Sequence, residues 1–273
     1  MLEQLKQLWQ VSFGDSPEYV EFYFDRAYHA ENTITRQEDG KIVSAAQYRY
    51  FDIMCGSHIL KGVYILGVCT HPNHRNKGLS GSILRQILDE QAKLGLDVAF
   101  LIPSEDYLFK FYEKFGFDGI FTAYEEHVSK NDTAIDAPYD IIKPSTEQLY
   151  EFYTEFYRSL DQAVIKDRNY FAFAMEDIAN WSGRVDVCST NGEIRGFAAT
   201  EGDIVKELLC LDVRARNTLL SRLLTDVSRE ETKVIYPVNS PVVSPAARKI
   251  TIGMARVLSA ACLKDPYANL LLN

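Results

Sequence analysis

The chain has 273 residues, enough for one large domain or two of ordinary size, and 47% of them are apolar, a usual share for a globular protein. A formal charge of −9 argues against general binding of nucleic acid or acidic membrane, which calls for excess Lys and Arg on one face; it suits a cationic substrate weakly. No run approaches the roughly eighteen apolar residues of a membrane span, and MLEQLKQLWQ carries charges where a signal peptide is apolar, so a cytoplasmic chain without membrane or nucleic-acid partners is expected.

Apolar residues at three- and four-residue spacing, such as Leu2, Leu5, Leu8 and Trp9, predict helices over 2–12 and 17–28, separated by Gly14-Asp15-Ser16-Pro17. Ile34 to Gln37 and Lys41 to Met54 read as strands joined by a tight turn at Asp39-Gly40, and Gly56-Ser57 turns into a third strand, His58 to Thr70. After a polar loop come a helix from about Leu79 to Leu94, a strand Val98 to Ile102, a helix Asp106 to Phe115 and a strand Ile120 to Val128. Helices, antiparallel strands and then strand-helix-strand make an α+β, mixed α/β, unit. The polar stretch Asn131 to Pro138 lacks periodicity and is placed as a domain boundary.

Beyond it the order repeats in pattern rather than in residues. Tyr139 to Ile142 predicts a strand, Thr146 to Leu160 and Tyr170 to Ala179 helices, and Val185 to Ser189 and Arg195 to Thr200 a hairpin about Asn191-Gly192. A strand Ile204 to Leu211, a helix Asn217 to Val227 and a strand Lys233 to Tyr236 follow. The five cysteines, Cys55, Cys69, Cys188, Cys210 and Cys262, form no C-x-x-C pair, so neither a disulfide framework nor a metal site is expected and they read as reduced, mostly buried thiols.

The segment richest in chemistry is YILGVCTHPNHRNKGLSGSILRQIL, residues 64–88, where an apolar strand meets a helix N-terminus through a short loop. Unpaired N–H groups at a helix start sum with the helix dipole and suit a pyrophosphate. Gly78 lets the backbone approach closely, Arg75 and Lys77 add positive charge, and Ser80 would cap the helix or donate to a phosphate oxygen. Gly78 and Ser80 could equally be only the turn and cap of a structural helix.

This string resembles the acetyl-CoA-binding core of the GNAT superfamily of N-acetyltransferases, V-x-x-x-P-x-x-R-x-x-G-x-G/A, with Val68, Pro72, Arg75 and Gly78 on the pattern and Ser80 where Gly or Ala is usual. The resemblance implies a GNAT fold with a mixed, mostly antiparallel central sheet flanked by helices. It also implies acetyl-CoA as acyl donor, the amides of Asn76, Lys77, Gly78, Leu79, Ser80 and Gly81 on the pyrophosphate, and Val68, Cys69 and Thr70 beside the pantetheine arm. FYEKFGF, residues 111–117, is similar to the family's Y-x-x-x-G-F signature, although Phe111, Tyr112 and Phe115 could as well be a core face and Gly116 a helix C-cap. It implies Tyr112 as the acid beside the thioester sulfur, with Tyr107 in reserve. The opening helices, the form V-x-x-x-P-x-H-R-x-x-G-L and Pro103-Ser104-Glu105 are closest to the Eis branch, whose likeness adds Ser104 to the coenzyme set and implies two tandem GNAT-like units, 1–130 catalytic and 139–273 degenerate. Residues 203 to 252 contain no glycine, so the second half is expected to lack a phosphate loop. GMARVLSAACL, residues 253–263, is similar to the branch's connection into a sterol-carrier-like domain, for which the chain, ending at Asn273, leaves no room.

The implied reaction is direct attack of a neutral primary amine, of a small molecule, on the thioester. Cys69 at a strand end without a partnered His reads as structural. No carboxylate lies on the strand Val63 to Thr70; Glu125, Glu126 and His127 are candidate bases but read more readily as a solvated or edge charge cluster, and His71 and His74 as solvated loop residues. The alternative function is a non-catalytic CoA-binding sensor or scaffold, or a transferase using another acyl donor. The base, any role of the Asn273 carboxylate and a homo-oligomeric assembly stay open.

Overall fold

A computed structural model describes residues 1–226, 230–259, 263–264 and 266–268. By contacts the chain divides into two compact units: Met1–Ile53 with Ile59–Gly119 and Gly253–Cys262, and Met54–His58 with Ile120–Ile252 and Leu263–Asn273.

The first unit opens with α1 (Leu2–Phe13) and α2 (Pro17–Arg26). Gly14 ends α1 in the left-handed conformation at φ 79°, and Ser16 caps α2 by accepting from Tyr19 N at 3.2 Å, with Pro17 in the first turn where its missing N–H costs nothing. Trp9 stacks on Tyr23 at 4.5 Å between ring centroids, and the Tyr23 hydroxyl donates to Gln47 Oε1 at 2.9 Å, fastening the helices to the sheet. That sheet contains β1 (Thr33–Glu38), β2 (Lys41–Cys55), β3 (His58–Thr70) and β4 (Val98–Leu101), with α3 (Leu79–Lys93) crossing between β3 and β4 and α4 (Asp106–Glu113) after β4. The β1–β2 turn has positive φ at both Asp39 (50°) and Gly40 (74°), as the Asp-Gly pair requires.

The outer strand of this unit comes from far along the sequence. β12 (Arg248–Val257) pairs antiparallel with β4, Met254 opposite Leu101 and Val257 opposite Val98. Residues 253–257, expected to belong to a connecting segment, are therefore strand; four residues of β4 buried on both faces need a partner on each side, and Gly253 to Val257 supply one. Ile83, Leu84, Ile87 and Leu88 form the buried stripe of α3 and pack on Val63, Ile65, Ala99, Leu101 and Met254. Each such side chain contributes about 1.5–3 kcal/mol relative to exposure.

The second unit holds most of β5 (Asp118–Ser129), then β6 (Asp140–Ile142), α5 (Thr146–Arg158), β7 (Gln162–Ile165), α6 (Arg168–Asp177), β8 (Gly183–Thr190), β9 (Glu193–Glu201), β10 (Ile204–Cys210), α7 (Val213–Asp226) and β11 (Glu231–Pro237). Its strands run β5-β11-β10-β9-β8-β6, with one parallel pair, β10 and β11, joined through α7. Antiparallel strands followed by one helix-bridged parallel pair is also the order of the first unit, so the tandem pattern read from the sequence is present as topology. α7 begins at Val213 rather than Asn217 because Asp212 caps it, Oδ1 accepting from Ala215 N at 2.8 Å; Val227, its expected end, lies outside the described residues. Cys69, Cys188 and Cys210 are buried free thiols and Cys55 is half-buried; Cys262 lies outside the described residues. Among the described residues no helix is long and apolar enough to cross a membrane.

Candidate active site

β3 and β4 pair in parallel from Gly62/Val98 to Tyr64/Phe100, and β3 then runs on to Thr70 without a β4 partner. Gly67 lies in this free stretch at φ 58°, where a Cβ would sit 2.6 Å from the Trp9 ring. Both the left-handed backbone and the indole require glycine, so Gly67→Ala is expected to cost about 2–4 kcal/mol in urea unfolding, with an unchanged m-value. After Gly67 the strand end is clamped toward β2: Ser44 Oγ donates to the Cys69 carbonyl at 2.8 Å and lies 2.8 Å from Thr70 Oγ1, while His71 N donates to the Val43 carbonyl at 2.9 Å. Val68 is half-buried against the core of the unit. Cys69 is buried, and that burial pushes its thiol up to about 12, so it is protonated and unreactive at neutral pH.

A single 3₁₀ turn, Pro72–His74, follows, with His71 Nδ1 accepting from Asn73 N at 3.2 Å. Glu38 Oε2 lies 2.8 Å from Lys77 Nζ and 2.9 Å from His74 Nδ1; Lys77 first and His74 second hold its carboxyl below the usual range. The ammonium of Lys77 is thus already partnered. Arg75 Nε donates back to the Thr70 carbonyl at 3.2 Å, while its two terminal nitrogens make no hydrogen bond among the described residues.

Asn76 and Gly78 take positive φ, 64° and 76°, and turn the chain into α3. A Cβ on Gly78 would meet nothing within 4 Å, so backbone conformation, not space, selects glycine there. Gly78 is the N-cap, and no side chain caps the helix. Ser80, expected as a cap, sits instead at the second helical position, because the left-handed turn at Gly78 starts the helix two residues earlier. Ser82 N makes the first intrahelical bond, to the Gly78 carbonyl at 3.0 Å, so the N–H groups of Leu79, Ser80 and Gly81 have no intrahelical acceptor. Gly81 is buried; a Cβ there would lie 2.9 Å from Phe115 Cζ, which is how closely α3 meets the segment after α4. Arg36 of β1 grips the first turns of α3, donating to Ser82 Oγ at 3.0 Å and Gln86 Oε1 at 2.9 Å.

Ser104 is exposed just before α4. Tyr112, near the end of α4, is only 7% exposed and joins the core cluster that also holds Ile83 and Leu84 and takes in Val68 at its margin. Its ring packs edge-on to Phe111 and Phe117, at 5.1 and 6.0 Å, and its hydroxyl has no hydrogen-bond partner among the described residues. Burial foremost, and Tyr107 second, push its phenol up to about 12. Tyr107 itself is 70% exposed. The chain leaves α4 through Gly116 at φ 80°, where Arg256 of β12 donates to the Phe115 carbonyl at 2.8 Å.

Glu125 and Glu126 are not a solvated or edge cluster. They are 5% and 8% exposed, lie in the second unit, and end in ion pairs. Glu125 accepts from Arg248 at 2.6 Å and pairs with Lys233; burial works to raise its carboxyl, and the two cations outweigh it and hold it low. Glu126 accepts from Arg216 at 2.6 Å and from the Tyr236 hydroxyl. Alternation on β5 should have faced one of them to solvent, but Lys233 of β11 and Arg248 of β12 pair with Glu125 while Arg216 of α7 pairs with Glu126, and both are buried. His127 is exposed, and the Asn273 carboxylate lies outside the described residues.

Residues 1–120 match the family described as acetyltransferase (GNAT) domain. No curated protein matches the chain. Among solved structures, a probable N-acyltransferase from Enterococcus faecalis superposes with a TM-score of 0.73 at 17% identity, covering 94% of this chain and 70% of its own. A GCN5-related N-acetyltransferase from Anabaena variabilis gives 0.74 at 14% identity over 94% of this chain and 70% of its own. Eis1 from Mycobacterium abscessus gives 0.67 at 14% identity over 94% and 71%. Identities this low speak for the fold, and the fold runs through both units. Residues 1–120 thus match a GNAT acetyltransferase domain, in a chain whose fold is similar to that of Eis1.

Proposed function

We propose that this protein is an acetyl-CoA-dependent N-acetyltransferase that acts directly on a primary amine of a small molecule, with residues 1–130 catalytic and 139–273 a second, degenerate GNAT-like unit. The observation that carries the reading is the N-terminus of α3, without a side-chain cap among the described residues, entered through left-handed Gly78 a short loop after a strand that has no β4 partner beyond Tyr64. A diphosphate fits there: unsatisfied N–H donors converge, nothing stands over Gly78, and the terminal nitrogens of Arg75 are unengaged. In this reading the amides of Asn76 to Gly81, the Ser80 hydroxyl and Arg75 hold the pyrophosphate. Lys77, bound to Glu38, contributes less than a free ammonium would. The edge at Val68, Cys69 and Thr70 aligns the pantetheine arm, and Ser104 borders the coenzyme.

Acetyl-CoA supplies an activated acyl carbonyl on a good leaving group. The Tyr112 hydroxyl keeps its proton throughout the neutral range and serves as donor at the leaving sulfur. The buried Cys69 thiol takes no part, and transfer needs no covalent enzyme intermediate. In the second unit the matching helix start is filled by the chain itself. Asp212 caps α7 and pairs with Arg195 at 2.8 Å, so a carboxylate stands where a phosphate would have to lie.

Ser80→Asp tests the reading, because a carboxylate in the first turn favours the helix but repels a diphosphate. CoA affinity by calorimetry is expected to fall about a hundredfold, with an unchanged or higher melting temperature. Unaltered CoA binding in that variant would remove the pyrophosphate assignment. Thiol release from acetyl-CoA over a panel of amines tests turnover; coenzyme-induced thermal stabilisation without thiol release would favour the scaffold.

A further inference from the structure

The second unit has a cavity of its own, about 410 Å³, within the range of small-molecule sites. Its walls are largely apolar, with Val128, Val213, Val242, Val243 and Pro245 among them. The segment between β11 and β12 that supplies much of the wall is held by successive turns: Ser240 N donates to the Pro237 carbonyl at 3.1 Å, Ala247 N to the Ser244 carbonyl at 3.0 Å, and Ala246 N to Ser244 Oγ at 3.0 Å. The wall is therefore built before any ligand arrives.

Three charged side chains line the same space: Glu126, Asp132 and Arg216. The Glu126 side chain is only 6% exposed. Its Oε1 accepts from both Arg216 and the Tyr236 hydroxyl, whereas Oε2 receives no hydrogen bond among the described residues. A carboxylate oxygen on a residue that lines the cavity and receives no protein donor can take one from a ligand. Each nitrogen of Arg216 already gives one hydrogen bond, to Tyr236, Asn217 and Glu126, and none of these goes to Glu126 Oε2. Asp132 Oδ2 accepts from Ser129 N and Oγ, and Oδ1 receives no hydrogen bond among the described residues. Both carboxylates keep one oxygen without a protein donor among the described residues, and two carboxylates face one guanidinium that is already paired with Glu126.

We infer that this cavity binds an organic cation, an ammonium joined to a compact apolar body, with the ammonium on Glu126 Oε2 and the body against the valine and proline walls. An anion would meet excess negative charge and a guanidinium already engaged. A neutral apolar molecule would leave Glu126 Oε2 without a donor. The inference does not depend on the proposed acetyl transfer.

The full chain, methyl-labelled at valine, is titrated with phenethylammonium, and with phenethyl alcohol and phenylacetate as its neutral and anionic counterparts. The ammonium is expected to shift the signals of Val213, Val242 and Val243 and to bind at least about tenfold more tightly than the alcohol, with phenylacetate weakest. Glu126→Gln is expected to abolish that preference. Should that variant lose its fold by circular dichroism, two changes at exposed positions carry the test: Ala246→Trp, expected to fill the mouth and block binding, and Asp132→Asn, expected to weaken it several-fold. Equal affinity for the alcohol, binding that survives Ala246→Trp, or ammonium-induced shifts confined to signals away from these valines would overturn the inference; the last would also show an amine site elsewhere in the chain.

Discussion

Tyr112→Phe is expected to lower kcat about a hundredfold while CoA affinity stays within about twofold. The substitution removes one oxygen from a ring that is otherwise enclosed by Phe111 and Phe117, so the packing of α4 is retained. That oxygen has no hydrogen-bond partner among the described residues, so the fold loses no internal bond and stability should change by less than about 1 kcal/mol. What is lost is a donor that keeps its proton, since burial pushes the phenol up to about 12. Two consequences of the pH sign follow. Any basic limb of the rate profile below pH 10 must belong to another group. Because the folded value exceeds the unfolded value of 10, the contribution of Tyr112 to stability is complete below pH 10 and disappears as pH rises through about 12. Tyr107→Phe, on an exposed ring, should leave kcat within about twofold. A Tyr112→Phe enzyme with unaltered turnover would leave the leaving-group acid unassigned, and an equal rise in KM would make Tyr112 a binding residue.

The second large effect is on stability and centres on Glu207 and Lys166, both inside the second unit. Glu207 accepts from the Tyr157 hydroxyl and is pushed up to about 7, burial foremost. Lys166 is 1% exposed, its ammonium has no hydrogen-bond partner among the described residues, and burial, opposed by Glu207, pushes it down to about 8. Glu207→Gln leaves that ammonium without its opposing charge and is expected to cost about 3–5 kcal/mol in urea unfolding at neutral pH. Lys166→Met replaces it with an apolar chain near the Tyr153 ring, and Lys166→Met with Glu207→Gln should recover most of the loss. Glu207, raised from 4.5 to about 7, makes stability fall as pH rises between those values. Lys166, lowered from 10.5 to about 8, makes stability rise between about 8 and 10.5. These two groups therefore place a minimum between about pH 7 and 8, and Lys166→Met should abolish the upper rise. A wild-type profile without that minimum, or a double variant no more stable than Glu207→Gln alone, would refute the account.

Local patterns carried much of the fold. The β3 limits, His58 and Thr70, and the α3 start at Leu79 coincide with the sequence reading, since Gly56-Ser57 and Gly78 punctuate the chain where the backbone must turn. The loop was legible for the same reason: positive φ at Asn76 and Gly78 is a local demand met by local residues. Two strands were missed. β7 has four residues, too few to show a period, and β12 is Arg248–Val257, whose apolar residues are bounded by no turn signal on their C-terminal side. Partners of charge escaped as well. Lys77 reads as a free cation until β1 places Glu38 beside it, and Glu125 and Glu126 read as solvated until Arg248, Lys233 and Arg216 bury and pair them.

By itself the sequence determined the helices and hairpins, the turn into α3 at Asn76 to Gly78 and the repeated order of the two halves, because apolar period and glycine placement act over a few residues. Tertiary structure alone decided that Gly253 to Val257 complete the first unit's sheet, that Gly67 must yield to Trp9, and which carboxylates are paired. Those outcomes depend on burial and on contacts between residues far apart in the chain, and neither burial nor the field of a distant charge is written in the pattern around the residue that feels it.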